Sequence, residues 1–129
     1  WSWLALAASV PVGLLVTAIL NMNNVRDYQE DSQVAKLTLP VRFGQTFGVW
    51  YHTSLLCGSY LAVTLFTLIQ WLPASSLLVW ITFPLAFLNI HSVLSAVDRK
   101  AFIVGIKRTS LLHFQFGSLL ALGLLLARF

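Results

Sequence analysis

The chain has 129 residues, of which 58% are hydrophobic and only 9% are charged, and its mean hydropathy is +0.82. This composition is typical of a membrane protein and excludes a soluble domain as well as a disordered or low-complexity chain. The net charge of +4 does not indicate a nucleic-acid partner, because the basic residues flank apolar segments rather than form a patch. The single cysteine, Cys57, excludes a disulfide framework and a Cys-based metal site.

The first predicted element is a transmembrane helix. Residues 1–22 are apolar over the length that crosses a hydrocarbon core of about 30 Å. Trp1 and Trp3 stand at one end, where an interfacial aromatic belt is expected, and Pro11 is expected to kink the helix. The chain starts on Trp1, without an initiator Met and already within this apolar segment. We therefore expect it to be the C-terminal part of a longer protein.

A polar segment, residues 23–46, follows the first helix. We expect it to be helical as far as about Gln33 and then to form a loop that contains Pro40 and Gly44. Further membrane spans are predicted at about residues 47–71, 77–97 and 109–127, with a charged loop at residues 98–108 before the last span. The predicted fold class is an all-α membrane protein with about four transmembrane helices.

The basic residues predict the orientation of these helices. The predicted spans place Arg128 alone on one side of the membrane. The other seven basic residues fall in the two charged segments on the opposite side: Arg26, Lys36, Arg42, Arg99, Lys100, Lys107 and Arg108. Positive charge concentrates on the cytoplasmic side of membrane proteins. We therefore expect residues 23–46 to face the cytoplasm, where Mg²⁺ and soluble diphosphates are available.

The polar segment contains three of the four carboxylates in the chain. If the first helix continues into it, Asn23, Asp27 and Asp31 follow at i, i+4 and i+8 and share one face, with neighbouring Cβ atoms about 6 Å apart. Mg²⁺ prefers oxygen ligands and is commonly bound by one or two carboxylates together with substrate phosphates. Lys36 and Arg42 follow and can neutralise phosphate oxygens. The spacing therefore indicates a site for a metal-bridged diphosphate.

Residues 23–44, reading NNVRDYQEDSQVAKLTLPVRFG, resemble the second aspartate motif of the UbiA-type intramembrane aromatic prenyltransferases. The pattern of that family, NNxRDxxxDxxxGKxTLxVRxG, is matched at Asn23, Asn24, Arg26, Asp27, Asp31, Lys36, Thr38, Leu39, Arg42 and Gly44. Ala35 stands where the family has Gly, which argues against a positive φ at that position, and Pro40 interrupts the segment before Val41.

The resemblance implies an enzyme that transfers a polyprenyl group from polyprenyl diphosphate to an aromatic acceptor. It implies Mg²⁺ bound by Asp27 and Asp31, which are then the catalytic residues. The diphosphate contacts that it implies are Asn23, Arg26, Lys36 and Arg42. Its pattern favours the branch that prenylates 1,4-dihydroxy-2-naphthoate in menaquinone biosynthesis, in a bacterial inner membrane.

The same resemblance implies about twice as many helices as the chain provides. The chain then corresponds to the C-terminal half of a UbiA-type bundle. The first aspartate motif of the family has no counterpart in these residues. We therefore expect the missing N-terminal helices to be partners of this segment, and we expect the segment alone to be inactive.

Alternative interpretations remain open at this point. The acceptor could be 4-hydroxybenzoate or homogentisate, or the chain could be a non-catalytic membrane subunit. A CDP-alcohol phosphotransferase is disfavoured, because its aspartate pattern is missing. Asp27 and Asp31 could instead form a solvated helix end that is paired with Arg26 and Lys36.

Polar residues in the later spans admit two readings. His52, His91 and His113 have no second ligand at metal-binding spacing and are expected to pack between helices or at the interface. Asn89, with His91 and Ser92, could instead line the acceptor pocket, because polar groups in a membrane bundle face its interior.

Overall fold

The fold is built of helices that run back and forth, and no strand occurs in residues 2–127, which are the residues that the computed structural model describes. The helices are α1 (Trp3–Arg26), α2 (Tyr28–Gln33), α3 (Leu39–Phe43), α4 (Gln45–Leu68), α5 (Phe83–Leu94) and α6 (Arg99–Leu126), with a 3₁₀ segment (Ala74–Thr82) leading directly into α5. The positions predicted for Trp1 and Arg128 lie outside the described residues.

Three helical segments of the described chain are long and apolar enough to cross a membrane, namely Trp3–Arg26, Ala74–Leu94 and Arg99–Leu126. The fourth long helix, α4, has 24 residues, and polar side chains such as His52 and Ser59 interrupt its apolar sequence. The predicted fold class, an all-α membrane protein, is confirmed, and these three segments agree roughly with the predicted count of about four transmembrane helices.

Packing brings the charged ends of the helices together. α1 packs against both α4 and α6, and α6 also packs against α5 and the 3₁₀ segment. The larger apolar core lies between these helices. A smaller buried cluster lies next to the polar segment and is formed by Met22, Val25, Val49, Val93 and Phe102. This cluster joins the end of α1 to the beginnings of α4 and α6 and the end of α5.

α4 begins directly against the end of α1. The Gln45 side-chain amide donates to the Val25 carbonyl oxygen at 2.9 Å, and the Asn21 amide donates to the Gly48 carbonyl oxygen at 2.7 Å. A Cβ atom on Gly48 would lie 2.5 Å from Cγ2 of Val25 and 2.9 Å from Cγ of Pro40. Only glycine therefore lets α4 approach α1 and α3 this closely.

Two expectations for the charged segments were wrong. Residues 98–108 do not form a loop, because α6 starts at Arg99, and Asp98 caps it by accepting a hydrogen bond from the Ala101 backbone N–H at 2.8 Å. Pro40 does not interrupt the polar segment either. It lies in the first turn of α3, where proline is compatible with a helix because no backbone donor is needed there.

Ala35 has a φ of +53°, so the expectation of a negative φ at this position was also wrong. α2 ends in a Schellman motif, in which the Lys36 N–H donates to the Asp31 carbonyl at 2.9 Å and the Ala35 N–H to the Ser32 carbonyl at 3.4 Å. This motif requires a left-handed residue, and glycine is the residue that adopts that conformation at least cost. The end of α2 therefore fixes the backbone of Ala35 despite its side chain.

Candidate functional site

The two aspartates of the motif lie one turn apart on a nearly continuous helical path. Asp27 departs from helical geometry, with φ −95° and ψ 13°, and separates α1 from α2. The i to i+4 hydrogen bonds nevertheless continue across it, because the Asp27 N–H donates to Asn23 O at 3.0 Å and the Asp31 N–H donates to Asp27 O at 2.8 Å. The backbone therefore keeps the one-turn spacing on which the sequence prediction depends.

Asp27 is held by the residue next to it. Arg26 Nε donates to Oδ1 of Asp27 at 2.7 Å, and Arg26 Nη2 donates to Oδ2 at 2.5 Å. This hydrogen bonding by Arg26 lowers the pKa of Asp27, and the charges of Arg26, Arg99 and Lys36 lower it further, against the opposing effect of burial. Asp27 is therefore an ionised carboxylate at neutral pH.

Asp31 is the most buried of the acidic side chains in the described chain. Its side chain is 9% exposed, and Lys36 Nζ lies 3.1 Å from both of its carboxylate oxygens. The Schellman turn at Ala35 reverses the chain after α2 and returns Lys36 to the aspartate that lies five residues earlier. The turn therefore gives the buried carboxylate its cation.

Asn23 and Arg42, which were also predicted to contact the diphosphate, do not pair with the two aspartates. The Asn23 amide donates to the Ile19 carbonyl of its own helix at 3.0 Å. Arg42 is exposed in the last turn of α3, and within the described residues it forms no ion pair. The structure thus joins Arg26 to Asp27 and Lys36 to Asp31, but it does not join Asn23 or Arg42 to either carboxylate.

Arg99, which the sequence places in a predicted charged loop, lies at the start of α6 and is a member of this cluster. Its Nη2 lies 3.2 Å from Oδ1 of Asp27, and its Nη1 pairs with Glu30. Arg99 and Asp27 are 72 positions apart in the chain. The only signal in the sequence was that both charged segments lie on the same side of the membrane.

A polar cavity of about 190 Å³ adjoins these ion pairs. Its lining comes from α1, α2 and the beginnings of α4 and α6: Arg26, Gln29, Glu30, Gln45, Val97, Asp98, Arg99 and Phe102. A more open cleft of about 280 Å³, between α4 and α5, shares Gln45 and Phe102 with it. Small polar ligands can therefore reach Arg26, Glu30 and Arg99, which pair with or lie beside Asp27, although neither Asp27 nor Asp31 is part of the lining.

The polar residues proposed for an acceptor pocket do not share a face. Asn89 is fully buried, and its amide donates to Oγ1 of Thr109 on α6 at 2.7 Å. His91, two residues later on α5, is exposed. His52 is fully buried, with Nδ1 at 3.2 Å from the Ala18 carbonyl oxygen. Asn89 and His52 therefore join helices.

The donor set of the cluster fits a hard divalent cation. Asp27 and Asp31 offer only oxygen atoms, which are the ligands that Mg²⁺ prefers. The described residues contain no group of three acidic, histidine or cysteine side chains that could hold an ion by themselves. A divalent ion at Asp27 and Asp31 would therefore need further oxygen ligands from water and from phosphate groups.

Comparison with known proteins identifies the family. The model of the UbiA prenyltransferase family matches residues 1–111. The chain belongs to this family. UbiA prenyltransferases generally depend on a divalent metal ion, which agrees with the oxygen ligands of the cluster. The apolar helices and this membership make the chain part of an integral membrane protein.

Several curated members of the UbiA family are similar to the chain. The 1,4-dihydroxy-2-naphthoate octaprenyltransferase of Escherichia coli is 48% identical over 56 residues, which is 43% of this chain and 18% of that protein. The enzyme of the same name from Haemophilus influenzae is 45% identical over 62 residues, which is 46% of this chain and 20% of that protein.

A longer but weaker similarity extends to a mammalian member. The UbiA prenyltransferase domain-containing protein 1 of Mus musculus is 31% identical over 119 residues, which is 92% of this chain and 34% of that protein. The chain thus spans about a third or less of the length of these relatives. No solved structure gave a significant match.

Proposed function

We propose that the full-length protein transfers a polyprenyl group from polyprenyl diphosphate to 1,4-dihydroxy-2-naphthoate in menaquinone biosynthesis. The observation that carries this proposal is the ion-paired acidic cluster of Asp27 and Asp31, in a chain that belongs to the UbiA family. The partial similarity to two bacterial 1,4-dihydroxy-2-naphthoate octaprenyltransferases supports the choice of acceptor.

In this proposal Asp27 and Asp31 would hold Mg²⁺ together with the diphosphate of the donor. The metal ion supplies Lewis-acid activation of the leaving diphosphate. Lys36 and Arg26, which neutralise the two carboxylates, would also contact diphosphate oxygens. Arg42, which is exposed at the end of α3 and forms no ion pair within residues 2–127, would be a further contact. The allylic carbon of the donor would then bond to the electron-rich ring of the acceptor as its C–O bond to diphosphate breaks. The substituted ring carbon would lose a proton, or its carboxylate as CO₂, to restore aromaticity.

The apolar helices serve the hydrophobic part of the reaction. A polyprenyl chain is an apolar ligand that partitions into hydrocarbon, and the long helices of the chain are apolar enough to lie there. The acidic cluster lies at the ends of these helices, where a charged diphosphate can remain hydrated. This arrangement suits a substrate that has a charged head and an apolar tail.

We propose that the cluster faces the cytoplasm of a bacterial cell, in the inner membrane. Arg26, Lys36, Arg42, Arg99 and Lys100 all lie at the end of the bundle that carries the motif. Such an excess of positive charge favours the cytoplasmic side. A cytoplasmic cluster would meet Mg²⁺ and newly made diphosphates directly.

The proposal is tested by assaying product formation in membranes that contain the full-length protein. Three acceptors are compared, namely 1,4-dihydroxy-2-naphthoate, 4-hydroxybenzoate and homogentisate, each with polyprenyl diphosphate and with or without Mg²⁺. Prenylation of the naphthoate that requires Mg²⁺ supports the proposal. Product from another acceptor alone would keep the reaction but replace the acceptor, and no product from any acceptor would favour a non-catalytic subunit.

Carboxylate variants connect the reaction to the cluster. Asp27→Asn and Asp31→Asn keep the side-chain shape but remove the charge, and each should lower kcat by at least about 100-fold, because metal charge stabilisation amounts to several kcal/mol. Asp98→Asn is the matched control. Asp98 lies at the same end of the bundle, and asparagine retains its helix cap. If Asp27→Asn and Asp31→Asn kept the same activity as the Asp98→Asn control and the wild type, the cluster would be excluded as the active site.

A further inference from the structure

Arg99 differs from the other cations of the cluster because it reaches the motif from a different helix. It lies in the first turn of α6, whereas Asp27 and Glu30 lie at the junction of α1 and α2. The Asp98 cap fixes where α6 begins. Phe102, three residues further along, is buried in the cluster that contains Met22 and Val25. The position of Arg99 is therefore set by the cap that precedes it and by the buried Phe102 that follows it on α6.

The hydrogen bonds of Asp27 are distributed unequally between its two oxygens. Oδ1 accepts from Arg26 Nε at 2.7 Å and from Arg99 Nη2 at 3.2 Å, whereas Oδ2 accepts from Arg26 Nη2 alone among the described residues, at 2.5 Å. Each carboxylate oxygen has two lone pairs. The two guanidinium groups therefore fill the acceptor capacity of Oδ1 and leave one lone pair on Oδ2.

We propose that Arg99 is a positioning residue of the metal and diphosphate site, which fixes the rotation of the Asp27 carboxylate so that Oδ2 is presented to the metal. This inference rests on the proposed function, because it assigns a role within the same site. Carboxylates that ligate metals are themselves held by hydrogen bonds from surrounding groups, and loss of such a group weakens metal binding.

Glu30 supports this role from the other side of the guanidinium. Arg99 Nη1 pairs with Glu30 while Nη2 pairs with Asp27, so the planar group is held at both ends. Isolated ion pairs between exposed side chains contribute little, because their geometry is loose. A guanidinium that bridges two carboxylates has fewer orientations than one that contacts a single partner. The two ion pairs thus restrict the orientations of Arg99 more than a single partner would.

The test measures metal affinity directly in the full-length protein, with Mn²⁺ as a paramagnetic probe that is titrated by electron paramagnetic resonance. Arg99→Gln should raise the Kd for Mn²⁺ by about 3- to 10-fold. Loss of a group that orients a metal ligand typically weakens metal binding by about 10- to 100-fold, and we expect a smaller effect here because the site is partly solvated. Lys100→Gln is the matched control. It removes the same charge from the next residue, which is exposed, and should leave the Kd unchanged.

Arg99→Lys separates orientation from charge. Lysine keeps the charge but cannot bridge Asp27 and Glu30 with a planar fork, so the Kd should recover only in part. In the prenylation assay, Arg99→Gln should raise the KM for the diphosphate donor and leave the KM for the aromatic acceptor unchanged. The melting temperature of the protein without metal should stay at the value for wild type.

The outcomes distinguish this inference from the proposed function. An unchanged or lower Kd for Mn²⁺ in Arg99→Gln would overturn the positioning role, even if the wild type makes prenylated product. A normal Kd in Arg99→Lys together with a raised Kd in Arg99→Gln would show that charge alone acts, and would also overturn it. If the Kd for Mn²⁺ depends on Arg99 as expected but the wild-type protein yields no product, only the proposed reaction is refuted.

Discussion

Replacing Gly48 by alanine should push α4 away from the helix that carries the acidic cluster. The new Cβ would lie 2.5 Å from Cγ2 of Val25 and 2.9 Å from Cγ of Pro40. Ordinary contacts between carbon atoms are about 3.5–4.0 Å, so the helices must separate by about 1 Å. Neither neighbour can yield, because valine has one strongly preferred rotamer in a helix and the proline ring is rigid.

Gly58 on the same helix provides the matched control. A Cβ atom there would lie 3.6 Å from Cδ1 of Leu14, which is an ordinary contact. Both substitutions gain the same helix propensity, up to about 1 kcal/mol, so this gain cancels in the comparison. Gly48→Ala also incurs the cost of overpacking, about 1–3 kcal/mol. We therefore expect Gly48→Ala to be less stable than Gly58→Ala by about 1–3 kcal/mol.

The free energy of unfolding is measured on the full-length protein by titration with a denaturing detergent. Because Val25 lies two residues before Asp27, we also expect Gly48→Ala to raise the Kd for Mn²⁺, while Gly58→Ala should not. Equal stability of the two variants would refute the close approach of α4 to α1. A less stable Gly48→Ala with normal metal affinity would refute the link between this contact and the cluster.

Three further substitutions test other parts of the fold. Ala35→Gly should stabilise the protein by about 0.5–1 kcal/mol in the same titration, because glycine adopts the positive φ without strain, and a loss of stability would contradict the Schellman turn. Asn89→Ala should lower the free energy of unfolding by about 1–2 kcal/mol, because it removes a buried hydrogen bond, and it should leave the KM for the acceptor unchanged. A raised KM for the acceptor at unchanged stability would instead indicate that Asn89 lines the acceptor pocket. Gly123→Ala should be destabilising, because its Cβ would overlap the carbonyl oxygen of Ser75, whereas Gly117→Ala, which meets no atom within 4 Å, should be tolerated; the opposite order would refute the packing of α6 on the 3₁₀ segment.

The fold class followed from the sequence because it depends on composition and on the length of apolar segments. Hydrophobic runs of about 20 residues have few alternatives to membrane helices. The limits of α6 did not follow, because a charged segment resembles a loop in composition although nothing in it breaks a helix. The Asp98 cap is the local signal that would have placed the start of α6 at Arg99.

The acidic site could be predicted only in part. The spacing of Asp27 and Asp31 is local, and a helix preserves local spacing, so their placement one turn apart could be anticipated. The positive φ of Ala35 could not be predicted, because a side chain disfavours this conformation. It is imposed by the Schellman motif at the end of α2. The contact between Arg99 and Asp27 depends on the packing of α6 against α1, which no spacing in a single sequence reveals.

We propose that Asp27 and Asp31 hold the metal ion that binds a prenyl diphosphate. The most direct test is an experimental structure of the full-length protein with Mg²⁺ and a prenyl thiodiphosphate, which resists cleavage. We predict a metal ion about 2.0–2.1 Å from a carboxylate oxygen of Asp27 or Asp31, with thiodiphosphate oxygens completing its shell. A metal-bound thiodiphosphate at other residues, with Asp27 still closed by Arg26 and Asp31 by Lys36, would contradict the account.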